Sequence, residues 1–239
     1  MGTKIGILSD IHGNAAALKA VLDDLHRTDE ISHLYCLGDL IGVGHETNEV
    51  LEQLSCLGNI SFVKGNHDLE VINILNGIDN PDDVLKDHHA WIAEQMDPQF
   101  KTMLVNLPLT LSKEYGGRNF HFAHYHLDEH QTIMPSDREP SLKKLESHYQ
   151  DSLSSVICFG HHHAVHFFHS DRRMYINPGP VGIDNFGPLA RYAIIDIDET
   201  VNVTFKQVHY PLSSLEKFIN GFKTKQVPWG DRFDKIYKF

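Results

Sequence analysis

The stretch KIGILSDIHGN at residues 4–14 decides the fold class. A short apolar run ends there in a polar loop that carries Asp10, His12 and Asn14. Short apolar runs that stop at turn-forming residues are typical of buried strands. The next residues, 14–27, place apolar side chains at helical spacing. The stretch therefore predicts a strand, a polar loop and a helix in succession.

The same order of strand, polar loop and helix returns twice in the first third of the chain. Residues 32–37 form an apolar run that ends in the dipeptide GD at 38–39, and a helical pattern follows over 46–57. Residues 60–64 form a third run, which ends in GNHD at 65–68. This alternation predicts a parallel sheet covered by helices.

The second half of the chain consists mostly of strand patterns. Residues 109–115 and 119–125 flank Gly116 and Gly117, which predicts a hairpin. Further strands are predicted at residues 156–160, 165–170, 174–177, 191–197 and 201–210. We therefore expect one domain over residues 1–239, with one sheet from each half of the chain.

Helical patterns lie between and after these strands. One covers residues 84–96, and the spacing of Ser213 and Glu216 predicts a capping box that opens a last helix. The tail at residues 223–239 has no clear period. Its aromatic residues are expected to pack on the body or on a partner, and they are Trp229, Phe233, Tyr237 and Phe239.

Composition and charge exclude several classes of protein. The chain has 239 residues, and 21 Lys and Arg against 32 Asp and Glu give a formal charge of −11. A chain this acidic does not offer the broad basic face of an extended nucleic-acid surface. No apolar run is long enough to span a membrane, and no signal peptide is visible, so we expect a cytoplasmic protein. Three cysteines, Cys36, Cys56 and Cys158, are expected to be reduced core residues.

Side chains that bind metal ions stand at the predicted strand ends. In open α/β sheets, binding sites lie outside the carboxyl ends of the strands, so these loops should converge. Aspartate, histidine and an amide oxygen without cysteine suit Mn²⁺, Fe, Zn²⁺, Co²⁺ or Ni²⁺. The residues are Asp10, His12, Asp39, Asn66, His67, Asp68, His124, His161 and His163.

These blocks together resemble the five-block signature of the calcineurin-like metallophosphoesterases. The signature is carried by Asp10-Ile11-His12, Gly38-Asp39, the GNHD at 65–68, His124 and Gly160-His161-x-His163. The stretches GDLIGVGHETNEVLEQL at 38–54 and INPGPVG at 176–182, and Trp91 followed later by Leu107-Pro108, resemble the small bacterial and archaeal phosphodiesterase branch. The resemblance covers nearly the whole chain. It implies an α/β fold, a four-layer α-β-β-α sandwich with two central mixed β-sheets flanked by helices.

The resemblance also implies a role for each matching residue and two divalent metal ions per chain, with Mn²⁺ as the first expectation. The first ion would be held by Asp10, His12 and His163, the second by Asn66, His124 and His161, with Asp39 bridging both. His67 would be catalytic, by hydrogen-bonding a phosphate oxygen or protonating the leaving alkoxide, and Asp68 would orient it. A hydroxide bridging the ions would attack phosphorus.

Several residues near these blocks depart from the family pattern or have two interpretations. His45 replaces a frequent proline, and Tyr125 and His126 follow His124 where glycine is usual. They are candidates for contacts that shape the substrate site, or loop residues without such a role. Asn14 either caps the first helix or contacts substrate. The other nearby histidines are expected to point away from the ions (His162) or to be surface and packing residues (His88 and His89).

The function implied by the resemblance is hydrolysis of a small phosphate ester, either a phosphodiester or a phosphomonoester. The alternatives are a dinucleoside polyphosphate hydrolase, a non-catalytic scaffold on the same fold, and metal storage by the 18 histidines. The expected partner is a small phosphorylated substrate, with neither nucleic acid nor membrane, and assembly as a homo-oligomer stays open.

Overall fold

Two groups of strands and their flanking helices make up the computed structural model, which describes residues 2–27, 31–137, 139–183 and 187–230. The strands are β1 (Thr3–Leu8), β2 (His33–Cys36), β3 (Ile60–Phe62), β4 (Thr110–Tyr115), β5 (Arg118–Ala123), β6 (Val156–Cys158), β7 (Val165–His169), β8 (Met174–Pro178), β9 (Leu189–Ile197) and β10 (Val201–His209). The helices are α1 (Ala15–Leu25), α2 (Thr47–Ser55), α3 (Asn66–Leu75), α4 (Lys86–Gln95), α5 (Lys101–Val105), α6 (Leu142–His148) and α7 (Leu212–Thr224), with a 3-10 turn at Pro98–Phe100.

The strands form two mixed five-stranded sheets. The first has the order β10-β9-β1-β2-β3, in which β1, β2 and β3 are parallel and β9 and β10 are antiparallel to their neighbours. The second has the order β4-β5-β6-β8-β7, with the predicted hairpin of β4 and β5 at one edge. The parallel run of the first three strands confirms the strand, loop and helix alternation of the sequence.

The expectation of one sheet from each half of the chain is wrong. β9 and β10 come from the C-terminal half but complete the first sheet, where β9 pairs antiparallel with β1. In that pairing Ile5 lies opposite Ile195, and Ile7 lies opposite Ala193. All four side chains belong to the buried core between the sheets. Pairing with β9 also removes an open edge from β1.

The core between the two sheets follows from the alternation of side chains along each strand. In β6, Val156 and Cys158 face the space between the sheets, whereas Ile157 faces the opposite side. Ile157 packs there against α6 through Leu145. Because successive residues of a strand point to opposite faces, one apolar strand supplies both layers of core.

Helices cover the outer faces of both sheets. The outer face of the first sheet packs against α1, α2, α3, α4 and α7, through side chains such as Leu18, Leu51 and Phe218. The outer face of the second sheet is covered by α6. The order of layers is therefore helices, sheet, sheet and helix, which confirms the four-layer α-β-β-α sandwich. Among the described helices, none has the length and apolar character needed to cross a bilayer.

Three local expectations differ from the structure. The capping box at Ser213 is wrong, because α7 begins at Leu212 and the residue before it, Pro211, offers no side-chain cap. Cys56 is exposed, whereas Cys36 and Cys158 are buried as expected. The C-terminal tail begins inside α7, and Trp229 packs against the helical core. Its remaining aromatic residues, Phe233, Tyr237 and Phe239, lie outside the described residues.

Candidate metal centre

The loops after five strands of the two sheets converge on one site, as expected from the sequence. Both sheets contribute, so the site lies where their carboxyl edges meet. The side chains are Asp10 and His12 after β1, Asp39 after β2, Asn66 after β3, His124 after β5, and His161 and His163 after β6.

The first group of metal-binding side chains consists of Asp10, His12, Asp39 and His163, each with one donor atom within 4.8 Å of the others. The Nε2 atoms of His12 and His163 are 2.8 Å apart. Oδ1 of Asp10 lies 3.5 Å from Nε2 of His163. Asp10, His12 and Asp39 are buried, and His163 is the exposed member of the group.

The second group consists of Asp39, His124 and His161, again within 4.8 Å of one another. Asn66 joins it, because its Oδ1 lies 2.8 Å from Nδ1 of His161 and 3.0 Å from Nε2 of His124. Nδ1 of His124 donates a hydrogen bond to the Leu37 carbonyl at 2.8 Å. This bond fixes the ring of His124 so that Nε2 faces the group. Burial lowers the pKa of His124, but the carboxylate of Asp39 outweighs burial and raises that pKa to about 9.

Asp39 belongs to both groups and lies between them. Its Oδ2 is 3.7 Å from Nε2 of His12 and 3.3 Å from Nε2 of His124. Its Oδ1 accepts a hydrogen bond from the backbone N–H of His67 at 2.9 Å. The carboxylate is therefore held in place from α3 while it faces the two groups.

Five of these side chains stand on backbone in the left-handed region. The φ angles are 56° at Asp10, 49° at His12, 50° at Asp39, 70° at His161 and 52° at His163. Such angles are uncommon for residues other than glycine, and they cluster at functional sites, where the surrounding structure holds them. Here the N–H of His12 donates to the Asp39 carbonyl at 2.9 Å, so one loop holds the other.

Glycines precede several of these residues because the loops approach each other closely. A Cβ at Gly65 would overlap the carboxylate of Asp39, and a Cβ at Gly160 would overlap the hydroxyl of Ser9. In the dipeptides Gly65-Asn66 and Gly160-His161, the second residue supplies a metal-binding side chain. The glycine before it leaves room for the neighbouring loop.

Charge within the site favours ionised carboxylates. Burial raises the pKa of Asp39, but the charges of His124 and His67 and a hydrogen bond from His124 hold that pKa well below its usual range. Burial likewise raises the pKa of Asp10, but a hydrogen bond from His163 and the charge of His163 lower that pKa below its usual range. Burial lowers the pKa of His12 well below its usual value, so its ring is neutral at neutral pH. Ionised carboxylates and a neutral imidazole are the forms that bind metal ions.

The donor set fits divalent cations. Imidazole, amide and carboxylate atoms that can bind a cation are gathered in two groups, and Asp39 is common to both. The set contains nitrogen and oxygen donors and no cysteine, which suits Mn²⁺, Fe, Zn²⁺, Co²⁺ or Ni²⁺.

His67 lies beside the first group, and its ring centroid is 5.3 Å from that of His12. Its Nδ1 is hydrogen-bonded to Nε2 of His89 at 2.9 Å. Within the described residues its Nε2 has no hydrogen-bond partner, and the side chain is only partly buried. Burial lowers the pKa of His67. One nitrogen of His67 is therefore held by the protein, and the other is accessible.

The expectation that Asp68 orients His67 is wrong. Asp68 is fully buried, and its two oxygens accept hydrogen bonds from the backbone N–H groups of Gly65 at 2.9 Å and Ile41 at 3.2 Å. It thus closes the first turn of α3 and ties that turn to the loop after β2. Burial and the charge of Asp39 raise the pKa of Asp68 to about 7, although these two backbone bonds oppose the rise.

Two of the four candidate substrate contacts are packing residues. Asn14 is fully buried, and its Oδ1 accepts from the N–H of Ala17 at 3.0 Å, so it caps α1 as the first interpretation had it. Its amide donates to the Gly182 carbonyl at 2.9 Å. His45 turns toward α7, with Nε2 2.7 Å from the carbonyl oxygen of Phe218. Neither side chain is free to contact substrate.

Tyr125 and His126 are buried behind the second group rather than exposed beside it. The Tyr125 ring lies 4.7 Å from the ring of His161, and its hydroxyl is 2.8 Å from Nε2 of His162. His126 stacks on Tyr125 and bonds Tyr149 through Nδ1 at 2.9 Å. Their burial favours neither of the two interpretations, contacts that shape the substrate site or exposed loop residues, and Tyr125 packs against His161 instead. Nε2 of His162 bonds Tyr125, and none of its hydrogen bonds reaches the two groups.

His88 and His89 are buried in α4, not at the surface. His88 bonds the Gly42 carbonyl oxygen, and His89 bonds His67 on α3. The sequence carries no signal for the second contact, because no spacing rule links residues of two different helices. The sequence shows only that His88 and His89 are adjacent in a weakly apolar predicted helix.

The family of the chain follows from a comparison of its sequence with family models. The model of the calcineurin-like phosphoesterase superfamily domain matches residues 3–200. The chain belongs to the calcineurin-like phosphoesterase superfamily. Membership confirms the family resemblance, and it supports a phosphoester hydrolase that uses divalent metal ions.

Similar proteins match this superfamily member over nearly its whole length. An uncharacterized protein of Methanocaldococcus jannaschii is 28% identical over 250 residues, which cover 95% of this chain and 96% of that protein. The metallophosphoesterase of Sphaerobacter thermophilus superposes with a TM-score of 0.73 at 25% identity, over 95% of this chain and 96% of that one. A hypothetical protein of Pyrococcus horikoshii OT3 shares the fold, with a TM-score of 0.80 at 19% identity over 98% and 97% of the two chains.

A shorter match joins this superfamily member to a nucleotide hydrolase. The symmetrical bis(5'-nucleosyl)-tetraphosphatase of Erwinia tasmaniensis is 37% identical over 73 residues. That segment covers 30% of this chain and 27% of the tetraphosphatase.

Proposed function

We propose that this chain hydrolyses phosphodiester or phosphomonoester bonds of small substrates at a centre of two divalent ions. The observation that carries the proposal is the pair of donor groups that share Asp39. A shared carboxylate is the arrangement needed to hold two ions close enough for both to contact one phosphate. Family membership supports the coarser statement, a metal-dependent phosphoesterase.

Each ion would have its own set of residues. Asp10, His12 and His163 would hold the first, Asn66, His124 and His161 would hold the second, and Asp39 would bridge them. When bound, the ions supply Lewis acidity toward the phosphate oxygens and lower the pKa of water toward neutrality. Mn²⁺ is our first expectation for both.

The accessible side of the centre decides where substrate enters. Asp10, His12, Asp39 and His124 are buried, whereas Asn66, His67, His161 and His163 retain exposed surface. The phosphate ester would therefore approach past the four residues that retain exposed surface. His67 lies on that side, and its accessible Nε2, when the ring is protonated, either donates a hydrogen bond to a phosphate oxygen or gives its proton to the leaving oxygen.

A bis(5'-nucleosyl) polyphosphate is a second candidate substrate. The observation that favours it is the 37% identity over 73 residues to the tetraphosphatase. Such a substrate would place a P–O–P phosphoanhydride bond, instead of the P–O–C bond of an ester, at the same residues. It differs from a simple ester in the leaving group, which is a nucleotide rather than an alcohol.

A substrate panel with counted metal tests the proposal. The protein is stripped with a chelator, dialysed, reloaded with Mn²⁺, and assayed with bis(p-nitrophenyl) phosphate, p-nitrophenyl phosphate and diadenosine tetraphosphate. We expect about two ions per chain and turnover that disappears on chelation and returns with metal. Asp39→Asn is the matched inactive variant.

The other outcomes have distinct meanings. A protein that binds metal but hydrolyses no ester with Mn²⁺, Zn²⁺, Ni²⁺ or Co²⁺ would overturn the proposal in favour of a scaffold. Binding of many more than two ions, without turnover, would favour metal storage. Preferential cleavage of diadenosine tetraphosphate would select the second candidate.

A further inference from the structure

His67 is the first member of a chain of three hydrogen-bonded side chains that runs away from the metal centre. Nδ1 of His67 lies 2.9 Å from Nε2 of His89, and Nδ1 of His89 lies 2.7 Å from Oδ2 of Asp83. The side chains of His89 and Asp83 are 3% and 6% exposed. The side chains of His89 and Asp83 are therefore shielded from water.

The direction of each hydrogen bond follows from the carboxylate of Asp83, which is the last of the three side chains. An ionised carboxylate only accepts, so Nδ1–H of His89 donates to Asp83. The other nitrogen of a neutral His89, Nε2, then carries a lone pair and accepts the Nδ1–H of His67. The arrangement leaves Nε2 of His67 as the nitrogen that faces solvent and substrate, and this nitrogen takes up a proton before it donates to a phosphate oxygen or to the leaving oxygen.

Asp83 is itself held firmly at the start of α4. Its second oxygen, Oδ1, accepts from the backbone N–H of Leu85 at 2.9 Å. The base of the His67 side chain is confined by Gly42, because a Cβ at Gly42 would overlap Cβ and Cγ of His67. His67 is thus fixed between the loop after β2 and the side chain of His89.

We propose that His89, fixed by Asp83, is a positioning residue that holds the ring and tautomer of His67 for reaction. The proposal rests on the role of His67 in the proposed function. Asp68 does not hold this ring, because its oxygens accept from the backbone N–H groups of Gly65 and Ile41 while Nδ1 of His67 is bonded to His89. Loss of the outer hydrogen-bond partner of a metal-binding histidine typically costs about 10- to 100-fold in affinity or activity, and we expect the same range for His67.

Three variants separate positioning from a packing role. His89→Ala removes the acceptor for His67, and kcat should fall about 10- to 100-fold while KM and the number of bound ions stay near wild type. His89→Gln retains an acceptor oxygen and should recover most of the loss. His121→Ala, which removes a partly buried histidine of β5 next to Tyr149, is the control and should retain wild-type kcat.

A double-mutant cycle tests whether His89 acts through His67. If it does, adding His89→Ala to His67→Ala changes kcat by less than about twofold, because the interaction is already lost. Full additivity of the two losses would overturn the proposal. An unchanged kcat in His89→Ala alone, or no recovery in His89→Gln, would also overturn it.

Nuclear magnetic resonance of the metal-free protein gives a readout that does not depend on activity. In protein with ¹⁵N-labelled histidine, Nδ1 of His67 should carry a hydrogen-bonded proton, and that resonance should be lost in His89→Ala and persist in His121→Ala. If wild type shows this signal but hydrolyses no ester, the proposed function fails and the orientation stands. A proton on Nε2 of neutral His67 in wild type would refute the orientation itself.

Discussion

Replacing Asp68 by alanine distinguishes a structural carboxylate from one that orients His67. The change removes the acceptor of two buried backbone N–H groups, those of Gly65 and Ile41. Each buried donor left without a partner costs about 1–3 kcal/mol, so we expect the free energy of unfolding to fall by about 2–6 kcal/mol. A domain has only about 5–15 kcal/mol in total, so the effect is large.

Urea unfolding of the metal-free protein measures this loss, at a pH above the raised pKa of Asp68 of about 7 so that the carboxylate is ionised. Asp68→Asn is the matched variant, because it keeps one acceptor oxygen and should lose less. At saturating Mn²⁺ the folded fraction of Asp68→Asn should retain more activity than His67→Ala. An Asp68→Ala protein of wild-type stability, with kcat as low as that of His67→Ala, would refute the reasoning.

Three further changes test the site and the core around it. Asp39→Asn removes the carboxylate that both groups share. Elemental analysis after dialysis should therefore find the metal content reduced from about two ions per chain to below one. Retention of both ions would contradict a shared carboxylate. Burial lowers the pKa of His88 to about 4, so below about pH 6.5 its ring binds a proton in the unfolded chain but not in the folded one. The contribution of His88 to the free energy of unfolding therefore falls by about 2 kcal/mol between about pH 7 and pH 5. His88→Gln, which keeps a donor for the Gly42 carbonyl but does not titrate, should flatten that dependence in thermal unfolding, and an unchanged slope would contradict the assignment. Gly160→Ala would place a Cβ against Ser9 and should lower the free energy of unfolding by about 1–3 kcal/mol in urea, whereas Gly58→Ala, with open space around it, should change it by less than about 0.5 kcal/mol.

The strand ends could be predicted from the sequence because their signals are local. In the stretch at residues 4–14, the apolar run, the turn residues and the donors Asp10 and His12 all stand within a few positions of one another. Parallel strands then bring their carboxyl ends to one edge without further information. The partner of β1 on its other side could not be predicted, because β9 lies far along the chain and its pairing depends on which core it completes.

The residues around the centre were harder to predict, since departure from a family pattern does not indicate exposure. Tyr125 stands where glycine is usual, but its bulk fills the space behind His161 and does not enter the site. The contact between His89 and His67 was missed, because a histidine in a helix gives no reason to expect a partner on another helix. Both assignments depend on packing between separate elements, which periodicity does not report.

The choice of ligands explains how a chain with a formal charge of −11 can attract an anionic substrate. The pKa values of Asp10 and Asp39 are lowered, so both carboxylates are ionised. Two divalent ions held by these two carboxylates and otherwise by neutral side chains would leave a local charge of about +2. A centre built from four carboxylates would be neutral and would lose that attraction. Histidine and asparagine in place of further acidic residues would therefore let the proposed two-ion centre hold a phosphate that the rest of the surface repels.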